Sequence, residues 1–302
     1  MGDSSEGSQA TLNRARAALD LKRYDDAVAE AGRAIAERPA DAAPHGVMAQ
    51  ALLGLSRWAE ALRAAESGLA LDAQDEWLHR LRASALSALG RKQEALAAAE
   101  TAVKLDPVSP WAHASRARAL AALDDLFKAL EEARAALRLA PEEGSLHADL
   151  AELYAQGGNA AQAAVHYRDS LALDPRQAQV LNNYGVALDR LGREADATLA
   201  FKSAMLLDPT MQVALRNVHS SVQGELTGGR QTLAGFWGRY AAWSLFLVCC
   251  PPAWILMPVI YLVNLTRSSL AADRRAVQLA ATDPELMRIY QQLERDRGQG
   301  RL

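Results

Sequence analysis

Alanine recurs at Ala27, Ala61, Ala95, Ala129, Ala163 and Ala197, every time 34 residues apart. A second series, Ala15, Ala49, Ala83, Ala117, Ala151 and Gly185, keeps the same step 12 residues earlier. A third, Pro39, Pro107, Pro141, Pro175 and Pro209, does the same, with Ala73 at the one missing place. A fixed period constrains the fold more than composition can, because each period is one supersecondary unit copied along the chain. Each copy holds two apolar-periodic runs of roughly 13 residues, joined by a polar turn such as Leu89–Ala95. Half of the residues are hydrophobic but only 6% are aromatic, so alanine supplies much of that half. Alanine loses no side-chain entropy in a helix, and both runs are therefore read as helices. Small residues at fixed places let two helices approach closely. The recurring proline ends the second helix, because proline disfavours helical geometry in the residue before it. One hairpin cannot bury its apolar face alone, so neighbouring copies must stack.

The phased small residues resemble the tetratricopeptide repeat family over six consecutive copies, 8–41, 42–75, 76–109, 110–143, 144–177 and 178–211. The resemblance implies an all-α fold, a right-handed superhelical solenoid of six helix hairpins. Residues 1–7 are polar and expected to be disordered. A further apolar-periodic run, with Leu215, Val218 and Val222, predicts a capping helix over 212–227, followed by a linker at 228–239. One departure concerns the fourth place of each repeat, where the family often has Trp. Here it holds Thr11, His45, His79, His113, His147 and Leu181. Histidines one repeat apart are separated by roughly 8–10 Å or more. Zinc holds its nitrogens at about 2.0–2.1 Å, so the four histidines are read as helix-seam packing, with no metal and no cofactor expected.

In the family, the first helices of the hairpins line a concave groove. The matching positions here include Trp77, Arg80, Ser84, Trp111, Arg118, Glu152, Asn182 and Asp189, which the resemblance makes candidate contacts for a protein or peptide partner. Trp and Arg combine large area with directional contacts, the composition of interface hot spots. The family's carboxylate clamp uses Lys and Asn at the fifth and ninth positions. The corresponding pairs here run from Leu12/Arg16 and Gly46/Gln50 to Asn182/Val186 without a match, so chaperone C-termini are not the expected partners. No phosphate-cradling loop, zinc-protease helix or nucleophile elbow occurs, and neither catalysis nor a small-molecule substrate is expected. The net charge of −3 and the lack of a basic run argue against nucleic acid. Arginine outnumbers lysine by 28 to 5, which points to a GC-rich, bacterial source. The polar start lacks the basic and apolar regions of a secretory leader, so none is expected, and Glu6 breaks the myristoylation pattern.

The 27 residues Tyr240–Thr266 carry no charge. About 20 apolar residues suffice to cross a bilayer core of about 30 Å, so 240–265 is read as a membrane segment. Trp237, Tyr240 and Trp243 suit an interface, and the only cysteines, Cys249 and Cys250, lie inside the block. Pro251 and Pro252 argue against one straight helix. Three arrangements follow: a single crossing, a re-entrant helical hairpin folded at the prolines, and an apolar segment packed on the repeats of a soluble chaperone-like adaptor. The single crossing is preferred, with the repeats in the cytoplasm and the anchor in the inner membrane. Basic residues flank both sides, Arg230 and Arg239 before the block and Arg267, Arg274 and Arg275 after it. The tail 266–302 contains the capping pattern Thr282-x-x-Glu285 and an amphipathic run with Leu286, Ile289, Tyr290 and Leu293 on one face. The expected protein is a membrane-tethered scaffold whose groove holds a partner. A regulatory partner of a membrane enzyme is a further reading.

Overall fold

The computed structural model describes residues 2–217, with side chains from residue 9, together with residues 288, 291–293, 295–296 and 298–300. The capping helix is described only over 212–217, and both the linker 228–239 and the segment 240–265 lie outside the described residues. The described residues contain helices and no strands. The helices are α1 (Gly2–Asp20), α2 (Tyr24–Glu37), α3 (Ala43–Gly54), α4 (Trp58–Leu71), α5 (Glu76–Ala88) and α6 (Lys92–Leu105). They continue as α7 (Pro110–Ala122), α8 (Leu126–Leu139), α9 (Gly144–Gln156), α10 (Ala160–Leu173), α11 (Ala178–Arg190) and α12 (Glu194–Leu207). The chain forms an all-α helical-repeat solenoid, divided into two compact units, Met1–Leu153 and Tyr154–Leu302. Helix α1 is already helical at Gly2, ahead of Ser8 where the first repeat was expected to start. No proline precedes this repeat to stop a helix there, unlike the positions beginning with Pro39.

One backbone device makes every hairpin. Residues 22, 56, 90, 124, 158 and 192 all have positive φ, between 57° and 77°. Around Ser56, the Ser56 amide donates to the Leu53 carbonyl and the Arg57 amide donates to the Leu52 carbonyl. The same two bonds recur around Lys22, Gly90, Asp124, Gly158 and Gly192. This is the Schellman ending, in which a left-handed residue lets the last carbonyls of a helix find donors. The residue after it is at once the N-cap of the next helix. Asp125 and Asn159 cap by accepting from the amides of Lys128 and Gln162. Where the cap is Arg, its guanidinium pairs with an acidic residue three places on, as in Arg57–Glu60 and Arg91–Glu94. That carboxylate also sits in the first turn, where the helix dipole favours negative charge.

Between repeats a second device recurs. The second helices end at Asp72, Asp106, Asp174 and Asp208, each in extended geometry. Their Oδ1 atoms accept from the amides of Gln74, Val108, Arg176 and Thr210, two residues on. These Asx turns, with proline after three of the four, redirect the chain into the next first helix.

In the unit Met1–Leu153 the alanines fill the places the period assigns. Ala27, Ala61, Ala95, Ala129, Ala49 and Ala151 have no exposed surface at all. Successive first helices touch, α1 with α3, α3 with α5 and α5 with α7, while among the described residues no successive second helices pack as closely. The first helices therefore line the inner side of this unit's stack. In the unit Tyr154–Leu302, Gly185 replaces the alanine of its series because Phe201 presses on it. A Cβ at Gly185 would stand 2.5 Å from the Phe201 ring.

The tail returns to this second unit. Leu293 is 1% exposed. Asp296, 9% exposed at its side chain, accepts from Arg176 Nη2 at 2.9 Å, and Gln292 Nε2 donates to its other oxygen at 3.1 Å. Among the described residues no helix is long and apolar enough to cross a membrane.

Candidate functional site

The candidate contacts separate by what already holds them. Trp77 on α5 is half-buried and fills a notch in α3: a Cβ at Gly46 would come within 2.4 Å of its ring. It is a seam filler between repeats. Arg80 pairs with Glu76 one turn earlier, at 2.6 Å, and Glu76 also accepts from Ser109 Oγ at 3.1 Å. The Arg80 guanidinium is thus already ion-paired within its own helix. Ser84 is half-buried on the same helix.

Trp111 and Arg118 on α7 differ in this respect. Trp111 is 37% exposed, and Arg118, seven residues further along the same face, is also exposed. Glu152 on α9 is exposed too, and Arg118 is close enough to lower its pKa. The net shift of Glu152 is nevertheless upward, from partial burial first and then from the charge of Asp149. Its exposed surface coexists with enough surrounding protein for desolvation to lead. Asp149, half-buried one turn before Glu152, is also pushed up by burial, against the opposing charge of Arg118. Two carboxylates thus share the field of one guanidinium, an arrangement that prefers either a proton or a second cation. Sequence reasoning missed Asp149 because it occupies the sixth repeat position, outside the family's groove set. Its spacing of three from Glu152 on one helix was the available signal.

In the unit Tyr154–Leu302, Asn182 is buried at 3% exposure. Its Oδ1 accepts from Asn217 Nδ2 at 2.9 Å, and its Nδ2 donates to Asn183 Oδ1. The expected groove contact is therefore a buried link to the helical segment 212–217. Asp189 is exposed near the end of α11.

The repeated histidines have a local task beyond packing. The Nε2 atoms of His79, His113 and His147 face the carbonyl oxygens of Ala73, Pro107 and Pro141, six residues back, at 3.0–3.1 Å. The N–H of each ring closes the turn between two repeats. His113 also meets Glu132 through Nδ1 at 2.8 Å, and Arg116 donates to the same carboxylate. This ties α7 to α8.

The tetratricopeptide repeat model matches residues 3–47, 47–110, 80–144 and 148–210, well over half of the chain, and the chain belongs to this family. Repeats of this kind serve as protein–protein interaction scaffolds. A thermophilic TPR protein of Thermus thermophilus is 25% identical, with a TM-score of 0.56 over 60% of this chain and 98% of that one. Pseudomonas aeruginosa PilF is similar at 16% identity and a TM-score of 0.53, over 71% of this chain and 97% of that one. The Cut9–Hcn1 hetero-tetramer of the APC/C matches at 15% identity and a TM-score of 0.60, over 72% of this chain and 49% of that one. The last two likenesses concern the fold alone. No curated protein matches the chain by sequence.

Proposed function

We propose that the protein is a non-catalytic, membrane-tethered scaffold of the bacterial inner membrane, its repeats in the cytoplasm, holding a protein or peptide partner on the inner face of its first unit. The observation that carries the binding reading is the exposed set Trp111, Arg118 and Glu152, with Asp149 and Glu152 both in the field of the Arg118 guanidinium. An exposed aromatic on the same helix face as a guanidinium shared by two carboxylates suits a partner segment that brings an apolar anchor and a basic side chain. The tether reading comes from the uncharged run Tyr240–Thr266. Holding the repeats at a surface raises the effective concentration of partner and membrane target together, without any new contact.

A photo-crosslinking amino acid at Trp111 in living cells tests the binding reading. The expected result is a discrete adduct that weakens when Asp149 and Glu152 are changed to Asn and Gln. No such adduct is expected from the same crosslinker at Glu131, exposed on α8. Identical adduct patterns from both positions would overturn the assignment.

A further inference from the structure

The contact between Arg176 and Asp296 joins the turn after α10 to the tail, on the far side of the apolar block in sequence. From it we infer that the C-terminal tail docks on the repeats, so that tail and repeats lie on one side of the membrane and the block 240–265 enters and leaves through the same face. The membrane part of this inference rests on the tether proposed above; the docking stands without it.

Scale decides the topology. A bilayer core is about 30 Å thick. The Arg176–Asp296 pair is 2.9 Å long, and the tail's Leu293 is buried at 1% exposure. A chain making this contact crosses the core an even number of times, counting none as even. The single crossing preferred from sequence would carry Asp296 to the opposite face and leave Arg176 behind. Two features of the sequence agree with the same-side arrangement. Arginines flank the block on both sides, Arg230 and Arg239 before it and Arg267, Arg274 and Arg275 after it. Basic flanks mark the cytoplasmic side of a membrane segment. Pro251 and Pro252 also divide the uncharged run near its middle. At 1.5 Å per residue, the 11 residues of Tyr240–Cys250 would rise about 16 Å as a helix. That reaches the middle of the core and not its far side.

The contact itself is built to hold. Asp296 is nearly covered and makes two hydrogen bonds, one within its own helix turn and one to Arg176. A covered carboxylate without its cation would carry its desolvation cost uncompensated. Leu293 and Asp296 lie three residues apart, on one side of one helical turn.

Two measurements decide the matter. Hydrogen exchange of the peptide 288–300 is followed in full-length protein, in detergent or in buffer as its fractionation requires. Slow exchange is expected, faster in Arg176→Glu and slowed again when Asp296→Arg is added. A tail that exchanges at the rate of a free peptide in the unaltered protein would overturn the docking. For topology, a background of Cys249→Ser and Cys250→Ser receives either Gln299→Cys or Glu131→Cys. Each is treated with an impermeant maleimide on intact cells and on inverted vesicles. Both positions should label from the same side, the inverted vesicles. Labelling of Gln299→Cys on intact cells, with Glu131→Cys protected, would overturn the same-side arrangement. A protein found wholly in the supernatant would sink the tether reading alone, and hydrogen exchange would still judge the docking.

Discussion

At the scale of single residues, the six hairpin turns share one backbone state but not one residue. Glycine takes the left-handed position at Gly90, Gly158 and Gly192, whereas Lys22, Ser56 and Asp124 adopt it with a side chain. A left-handed conformation costs an L-residue roughly 1–2 kcal/mol, partly offset by the freedom that glycine loses on folding. Ser56→Gly should therefore raise stability by about 0.5–1 kcal/mol in urea unfolding. Gly90→Ala should lower it by about 1 kcal/mol, for backbone reasons alone, since a Cβ there meets nothing within 4 Å. If the two changes shift the midpoint in the same direction, the turn is misassigned. Asp149 supplies a pH test. Its folded pKa is raised above the ordinary 3.8 by burial, so the folded state binds its proton more readily than the unfolded state does. Above the raised pKa the charged form carries a penalty only in the folded protein, and this penalty fades as pH falls from there toward 3.8. Asp149→Asn should thus stabilise the protein at pH 7, with the gain shrinking through that acidic window in urea melts taken at several pH values. A gain unchanged by acid would mean that the carboxylate is not the cause.

At the scale of elements, the period legible in the sequence is the packing rule itself. Ala129 and Ala163 are fully buried where helices meet, and replacing either by Leu should cost about 1–3 kcal/mol by overpacking. The same change at exposed Glu131 should cost little. Gly185 and Phe201 form a compensated pair, one smaller and one larger than the alanines their series otherwise favour. Phe201→Ala should open a cavity costing about 3–5 kcal/mol. Gly185→Ala alone should overpack against the ring, but should be tolerated better beside Phe201→Ala, with a coupling of about 0.5–3 kcal/mol in a double-mutant cycle. Zero coupling would break the pairing. Hairpin lengths, the alanine seams and the proline stops were readable because each is a local rule repeated along the chain, six times for the hairpins and five for the prolines. Which arginine stays available was overlooked, although the residue four places before each carries the signal. Arg80 and Arg118 sit on equivalent first helices, yet Glu76 stands one turn before Arg80 while Ala114 holds the same place before Arg118. Trp77 likewise looked like Trp111 until Gly46 was seen to accept its ring. The burial of Asn182 was not readable because its partner, Asn217, belongs to the segment after the sixth repeat.

At the scale of the whole molecule, the proposed scaffold joins a helical-repeat stack to a membrane surface through 240–265. Periodicity could reveal the stack because every hairpin solves the same burial problem. It could not reveal how the tail meets the repeats, since the Arg176–Asp296 pair spans 120 residues and Asp296 lies outside the repeats. The claim that the repeats work while tethered is tested most directly by fractionation. Full-length protein should sediment with membranes and stay there through carbonate and high salt, because its attachment is apolar rather than ionic. A chain lacking Gln231–Leu302 should move to the supernatant as a helical, cooperatively melting fragment. Full-length protein that remains in the supernatant without detergent would contradict the tether.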